Sequence, residues 1–278
     1  PTEAIRIKDG HAKIDPRRCI DCGECIRVCP HHAKQAVTDP IDIINPYKYK
    51  IALVAPAFCG QFSKADKIDI MLSALKKIGF DFVYEVARGA EVISLKTREL
   101  LASGELLKPS VSSACPAVVK LIAIRFPNLI NNIIPLKSPM EVAAEDARKT
   151  AVSKTGLKPE DIGIFFISPC AAKATVIKSG ETVANSNVNG VIAMKDIYLK
   201  MAHTMSTLSG EETESLGKAG AEGILWATAG GEARAAIITG SAQKNTCLLY
   251  LRYIESLSVS GIAAAAYAVS LWLNVLVL

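Results

Sequence analysis

Residues 162–170 read IGIFFISPC. From Ile162 to Ile167 the run is apolar or glycine, carries no charge, and is stopped by Pro169. A strand with no polar alternation is buried on both faces, which is the mark of a parallel sheet covered by helices. Residues 50–58, KIALVAPAF, read the same way, as a buried strand from Lys50 to Ala57 ending in a proline turn. FDFVYEV (80–86) and VNGVIAM (188–194) read as further strands. Between them lie helical patterns. In 65–80 Ile68, Met71, Leu72 and Leu75 share one face. Glu91–Ala102 reads as a second helix, and Pro116 opens a third just after Cys115. At 138–151 Ser138 is the N-cap, Pro139 the first helical residue, and Glu141 completes a capping box. GILWATAGGEARAAI (223–237) reads as strand, glycine turn and helix. Strands alternating with helices give an α/β fold.

The composition agrees. Half of the 278 residues are apolar and 21% are charged, with a formal net charge of +5. This excludes a disordered polyelectrolyte and a collagen-like fibre. No clustered basic run with interleaved aromatics argues for nucleic acid. The first residues, PTEAIRIKDG, carry no signal-peptide pattern, and eight cysteines are too few for a disulfide scaffold at this length. A reducing cytoplasmic setting is therefore expected. After Glu255 no charge appears through Leu278. That apolar run admits a membrane helix, but it is Ala-rich, ends in strand-like alternation and has no basic flank. A buried element of the α/β core is the preferred reading.

Residues 1–45 form a separate unit. They are rich in cysteine and proline, with too few large apolar residues to make a core, so a metal is expected to hold them together. CIDCGECIRVCP spaces Cys19, Cys22, Cys25 and Cys29 as C-x2-C-x2-C-x3-C-P. This is the bacterial ferredoxin run for a 4Fe-4S cluster; a zinc site usually shows two separated cysteine pairs. Gly23 relieves the turn and exposes backbone N–H groups to sulfur. The opening PTEAI resembles the stretch just past the last cysteine of a first ferredoxin motif. On that reading Cys19, Cys22 and Cys25 share a cluster whose fourth ligand lies upstream, and Cys29 serves another cluster. With nothing upstream, all four serve one. Residues 46–278 form the second unit, with Cys115 and Cys170 beside prolines at strand or loop ends, where open α/β sheets bind ligands.

The second unit resembles the catalytic-domain family of iron-only (FeFe) hydrogenases. SSACPAVVK (112–120) is similar to that family's TSCCPGW loop and SPCAAK (168–173) to its MPC-x-x-K loop. VAPAF (54–58) is similar to its Ala-Pro turn, KSPME (137–141) to KSPQQ, and ATAGGEARAAI (227–237) to ATGGVMEAALR. The resemblance implies a two-lobed parallel-sheet domain behind a small ferredoxin-like module. It implies an H-cluster, a 4Fe-4S cubane joined to a di-iron unit carrying CO and cyanide, with Cys115 and Cys170 as cubane ligands. Lys173 would hydrogen-bond a cyanide, and Ala55, Pro56 and Ala57 would line the di-iron pocket. The family's last loop, with two further cluster cysteines, is expected beyond Leu278. The implied partners are a redox partner protein or ferredoxin, hydrogenase maturation proteins and a downstream signalling domain or partner.

The departures matter as much. Ala114 stands where efficient members carry a proton-transferring cysteine, Ser168 where they carry methionine, and Met140-Glu141 where they carry two glutamines. These changes resemble the sensory subgroup. The expected function is a slow, sensory hydrogen or proton redox domain fed by ferredoxin-type clusters. The alternative is a non-catalytic iron–sulfur electron-transfer or interaction subunit on a hydrogenase scaffold. Cys59, three residues past Pro56, is expected to be a packed thiol, with a substitute ligand or proton carrier at the pocket as the alternative, and Cys247 a structural thiol. His31 and His32 read as a solvated pair.

Overall fold

A computed structural model describes residues 2–62, 68–180, 186–228 and 230–237. At the amino end β1 (Ile5–Lys8) and β2 (His11–Ile14) form an antiparallel hairpin exposed along its whole length, followed by the short helix α1 (Glu24–Arg27). Nothing in this hairpin makes a core of its own, as the composition of 1–45 implies.

The centre of the molecule is a four-stranded, all-parallel sheet in the order β4-β3-β5-β6. Its strands are β3 (Tyr49–Val54), β4 (Phe82–Glu85), β5 (Ile162–Ser168) and β6 (Gly190–Ala193). β5 is buried at every residue, which is why its sequence shows no alternation. β3 pairs with β5 from Tyr49–Ile162 to Val54–Ile167, so the two strands end side by side. The strand expected through Ala57 stops at Val54. Pro56 fixes a helical φ and begins a 3-10 turn, Pro56–Gln61.

Helices α2 (Ile68–Lys77) and α7 (Met194–Thr207) pack together, and α5 (Pro139–Thr155) packs on α3 (Val86–Ser103) and on β3, β4 and β5. α3 begins five residues before the expected Glu91, running straight off β4 with no loop. α4 (Pro116–Arg125) packs on α6 (Ala171–Ser179). The strand expected at GILWAT is helix α8 (Ala221–Leu225) instead, with α9 (Gly231–Ile237) following as expected. α8 presses so closely on α3 that a Cβ on Gly223 would lie 2.1 Å from the Ala87 carbonyl oxygen. Trp226 Nε1–H then donates to Ser94 Oγ at 2.9 Å. A short apolar run does not by itself tell helix from strand, and here the close contact at Gly223 goes with the helix.

No described helix is long and apolar enough to cross a membrane. The apolar run after Glu255, Cys247 and the side chain of Cys59 lie outside the described residues.

Leu53 is fully buried on β3 among the sheet's core side chains. Leu53→Ala is expected to cost about 2–5 kcal/mol by leaving a cavity. Urea unfolding checks this; a loss under about 1 kcal/mol would place Leu53 outside the core.

Candidate cluster loop and carboxyl-edge cavity

The cysteine loop leads directly out of the hairpin. The backbone N–H of Cys19 donates to the Asp15 carbonyl, closing a turn that delivers Cys19 at the end of β2. Asp21 and Gly23 both adopt left-handed φ, 56° and 76°, and so turn the chain sharply between Cys19 and Cys25. Gly23 makes this bend at no steric cost. The four cysteines are partly buried and none is in a disulfide. Burial pushes the Cys19 thiol up, whereas N–H groups of Ala33 and His31 hold Cys29 down. The Ala33 N–H lies 3.5 Å from Cys29 Sγ. A sulfur that accepts from backbone amides is suited to carry charge as a thiolate. His31 and His32 are exposed, in keeping with a solvated pair. Among the described residues no three His, Cys, Asp or Glu side chains close on a single metal ion. A cubane asks for something else: thiols spaced around a cluster, and Cys19, Cys22, Cys25 and Cys29 are the thiols this loop brings.

The second cluster of cysteines is built by helix starts. Cys115 is the N-cap of α4 and Cys170 the N-cap of α6, each in extended backbone. Pro116 presets the first turn of α4, and Ser168 Oγ accepts from the Cys170 N–H at 3.1 Å. Burial pushes the Cys115 thiol up, the charge of Cys170 pushes it the same way, and Lys173 pulls it down. The three groups therefore share one electrostatic neighbourhood.

Beside them lies a cavity of about 610 Å³ whose walls include Ser113, Ala114, Met140, Glu141, Lys173 and Asn187. Lys173 Nζ donates to the Ala114 carbonyl oxygen at 3.0 Å, which ties α6 to the loop before α4. Ala55, Pro56 and Ala57 sit at the same carboxyl edge, where the Ala55 N–H donates to the Ile167 carbonyl at 3.3 Å. They do not form the wall of this cavity.

Glu141 takes a different place from the one its spacing suggests. Ser138 Oγ accepts from the Glu141 N–H, so half of the capping box is present. The carboxylate does not return to cap the helix. It is buried, at 4% exposure, and accepts from Ser186 Oγ at 2.6 Å and from the Asn187 N–H at 3.3 Å. An ionisable group that sequence reasoning assigned to a cap thus reaches the cavity. Its partners are 45 and 46 positions away, so no local pattern announces them.

Known families match both of these parts. Residues 48–269 match the family described as iron only hydrogenase large subunit, C-terminal domain, and residues 12–35 match a 4Fe-4S binding domain. The chain is 25% identical over 201 residues to the NADP-reducing hydrogenase subunit HndD of Solidesulfovibrio fructosivorans, covering 64% of this chain and 34% of that one. It is 28% identical over 138 residues to iron hydrogenase 1 of Clostridium pasteurianum, covering 46% and 24%. The chain thus spans about a third or less of the length of these curated relatives. A solved [FeFe]-hydrogenase structure, described in terms of oxygen inactivation of its H cluster, superposes with a TM-score of 0.50 at 19% identity. That match covers 68% of this chain and 53% of the other, and it is a likeness of fold.

Proposed function

Because the chain belongs to the family of the C-terminal domain of the iron-only hydrogenase large subunit, with a 4Fe-4S binding domain ahead of it, we propose that it is a slow, sensory hydrogen redox domain fed by ferredoxin-type clusters. The two units are residues 1–45 and 46–278. The observation that carries the reading is one wall of the cavity. There Lys173 offers a positive charge next to residue 114, and alanine at 114 offers no ionisable proton. Such a site can bind an anionic ligand by a charge-assisted contact while lacking the acid that fast proton transfer needs.

Cys115 and Cys170 would hold the cubane of an H-cluster, and Lys173 would face its cyanide. When bound, the group supplies hydrogen activation and electron exchange. The chain's own residues prepare for it. The amino ends of α4 and α6 bring partial positive charge to both cysteines. Met140, Val119 and Val176 give the cavity part of its apolar wall. The Glu141 carboxyl, fixed by Ser186 and Asn187, brings a second polar group to the wall that Lys173 shares.

A redox partner protein or ferredoxin, maturation proteins, a signalling partner and a cytoplasmic setting belong to the same proposal. The relative named as a hydrogenase subunit supports a partner. A second reading is a non-catalytic electron-transfer or interaction subunit on the same scaffold.

The test uses the full-length protein after maturation in a host that builds the di-iron unit. Infrared bands of bound CO and cyanide, with weak hydrogen uptake, are the expected result. A protein that loads its 4Fe-4S clusters but shows no such bands supports the second reading instead.

A further inference from the structure

The helices that begin at Cys115 and Cys170 each carry a lysine that grips an aspartate of the amino-terminal unit. On α4, Lys120 Nζ lies 3.1 Å from Asp21 Oδ2, inside the cysteine loop between Cys19 and Cys22. On α6, Lys178 Nζ lies 2.9 Å from Asp39 Oδ1. Both pairs are shielded: the side chains are 20% and 24% exposed in the first pair, 34% and 16% in the second. Isolated surface pairs hold little, because water screens them. These are reinforced. Ile20, next to Asp21, is buried, at 2% exposure. Asp39 exchanges two further bonds with β6, its N–H donating to the Val191 carbonyl and its Oδ2 accepting from the Val191 N–H, both at 2.8 Å.

We propose that Asp21–Lys120 and Asp39–Lys178 are positioning contacts that seat the amino-terminal cluster loop over α4 and α6. They would set its separation from Cys115 and Cys170. Counting about 1.5 Å per helical residue, Lys120 lies roughly 8 Å along the axis from Cys115, and Lys178 roughly 12 Å from Cys170. The first pair has a second consequence. Asp21 also places Oδ1 3.8 Å from Cys19 Sγ, so its negative charge stands at the edge of the cluster site. An unneutralised carboxylate there opposes the arrival of an electron, and Lys120 offsets it. The value of this seating for electron delivery rests on the function proposed above; the contacts themselves do not.

The full chain with its 4Fe-4S cluster reconstituted tests the proposal. Lys120→Met is expected to move the cluster's reduction midpoint to more negative potential. It should also speed deuterium exchange of the amides in 19–29 at least tenfold, and Lys120→Arg should restore both. Lys178→Met should speed exchange at least threefold around residues 38–41 while leaving the midpoint in place. Lys96→Met, on the far ion pair with Glu99, is the control and should change neither. Unchanged potential and exchange in Lys120→Met overturn the proposal, as does an equal shift in Lys120→Met and Lys120→Arg. If Lys120→Met takes up no cluster, Lys178→Met decides alone, and exchange at the control level overturns the seating. No readout depends on hydrogen turnover or on the carboxyl-edge cluster, so failure of the hydrogenase reading is recognised separately.

Discussion

Reconstituted Cys22→Ser protein is expected to give no 4Fe-4S electron paramagnetic resonance signal on reduction, where the unaltered chain gives a strong one. Serine replaces a soft thiolate with a hard, poorly ionised hydroxyl, and Cys22 sits at the middle of the wrapped loop between left-handed Asp21 and Gly23. The loss should extend beyond the spectrum. β1 and β2 are exposed along both strands, so the amino-terminal unit has almost no apolar core to keep it folded without the cluster. Limited proteolysis should therefore cut within residues 5–36 of the variant at least tenfold faster, while the sheet β4-β3-β5-β6 resists as before. A variant that keeps the signal, or a cluster-free chain as resistant as the loaded one, contradicts the assignment of this loop.

Ala114→Cys in matured protein is expected to raise hydrogen oxidation by tenfold or more. A positioned general acid typically contributes 10²–10⁴-fold, or about 3–5 kcal/mol of barrier. Position 114 lies in the cavity wall, next to the lysine that its own carbonyl anchors. A thiol there adds the ionisable group that alanine lacks, without touching Cys115 or Cys170. Two other groups bear on the result. Glu141 brings a buried carboxylate to the same cavity, and Cys59 comes after Pro56 in the turn beyond β3. Cys59→Ala and Glu141→Gln should therefore be measured beside it, so that a gain is credited to residue 114 alone. CO binding should be unchanged in Ala114→Cys, since it depends on groups this substitution leaves alone. An unaltered protein already as fast as Ala114→Cys would show that proton delivery at 114 does not limit the rate.

The sequence by itself determined the α/β class, the parallel strands and the ferredoxin-type loop. In each case the signal was local: an unbroken apolar run at 162–167, a proline after it, and four cysteines at fixed spacing. Such features survive in one dimension because strand burial and metal chelation constrain neighbouring residues. Tertiary structure decided the rest. GILWAT begins as the end of helix α8 and runs on as a turn, because Gly223 lets the helix press on α3, and an apolar run alone does not distinguish helix from strand. Glu141 left its capping box because burial against residues 186–187 offered it a hydroxyl and an amide, and a buried carboxylate must be satisfied. The pairing of Asp21 with Lys120 spans 99 positions, and that of Asp39 with Lys178 spans 139. A charge on a sequence carries no mark of its distant partner; only the packing of α4 and α6 beneath the cysteine loop brings those charges together.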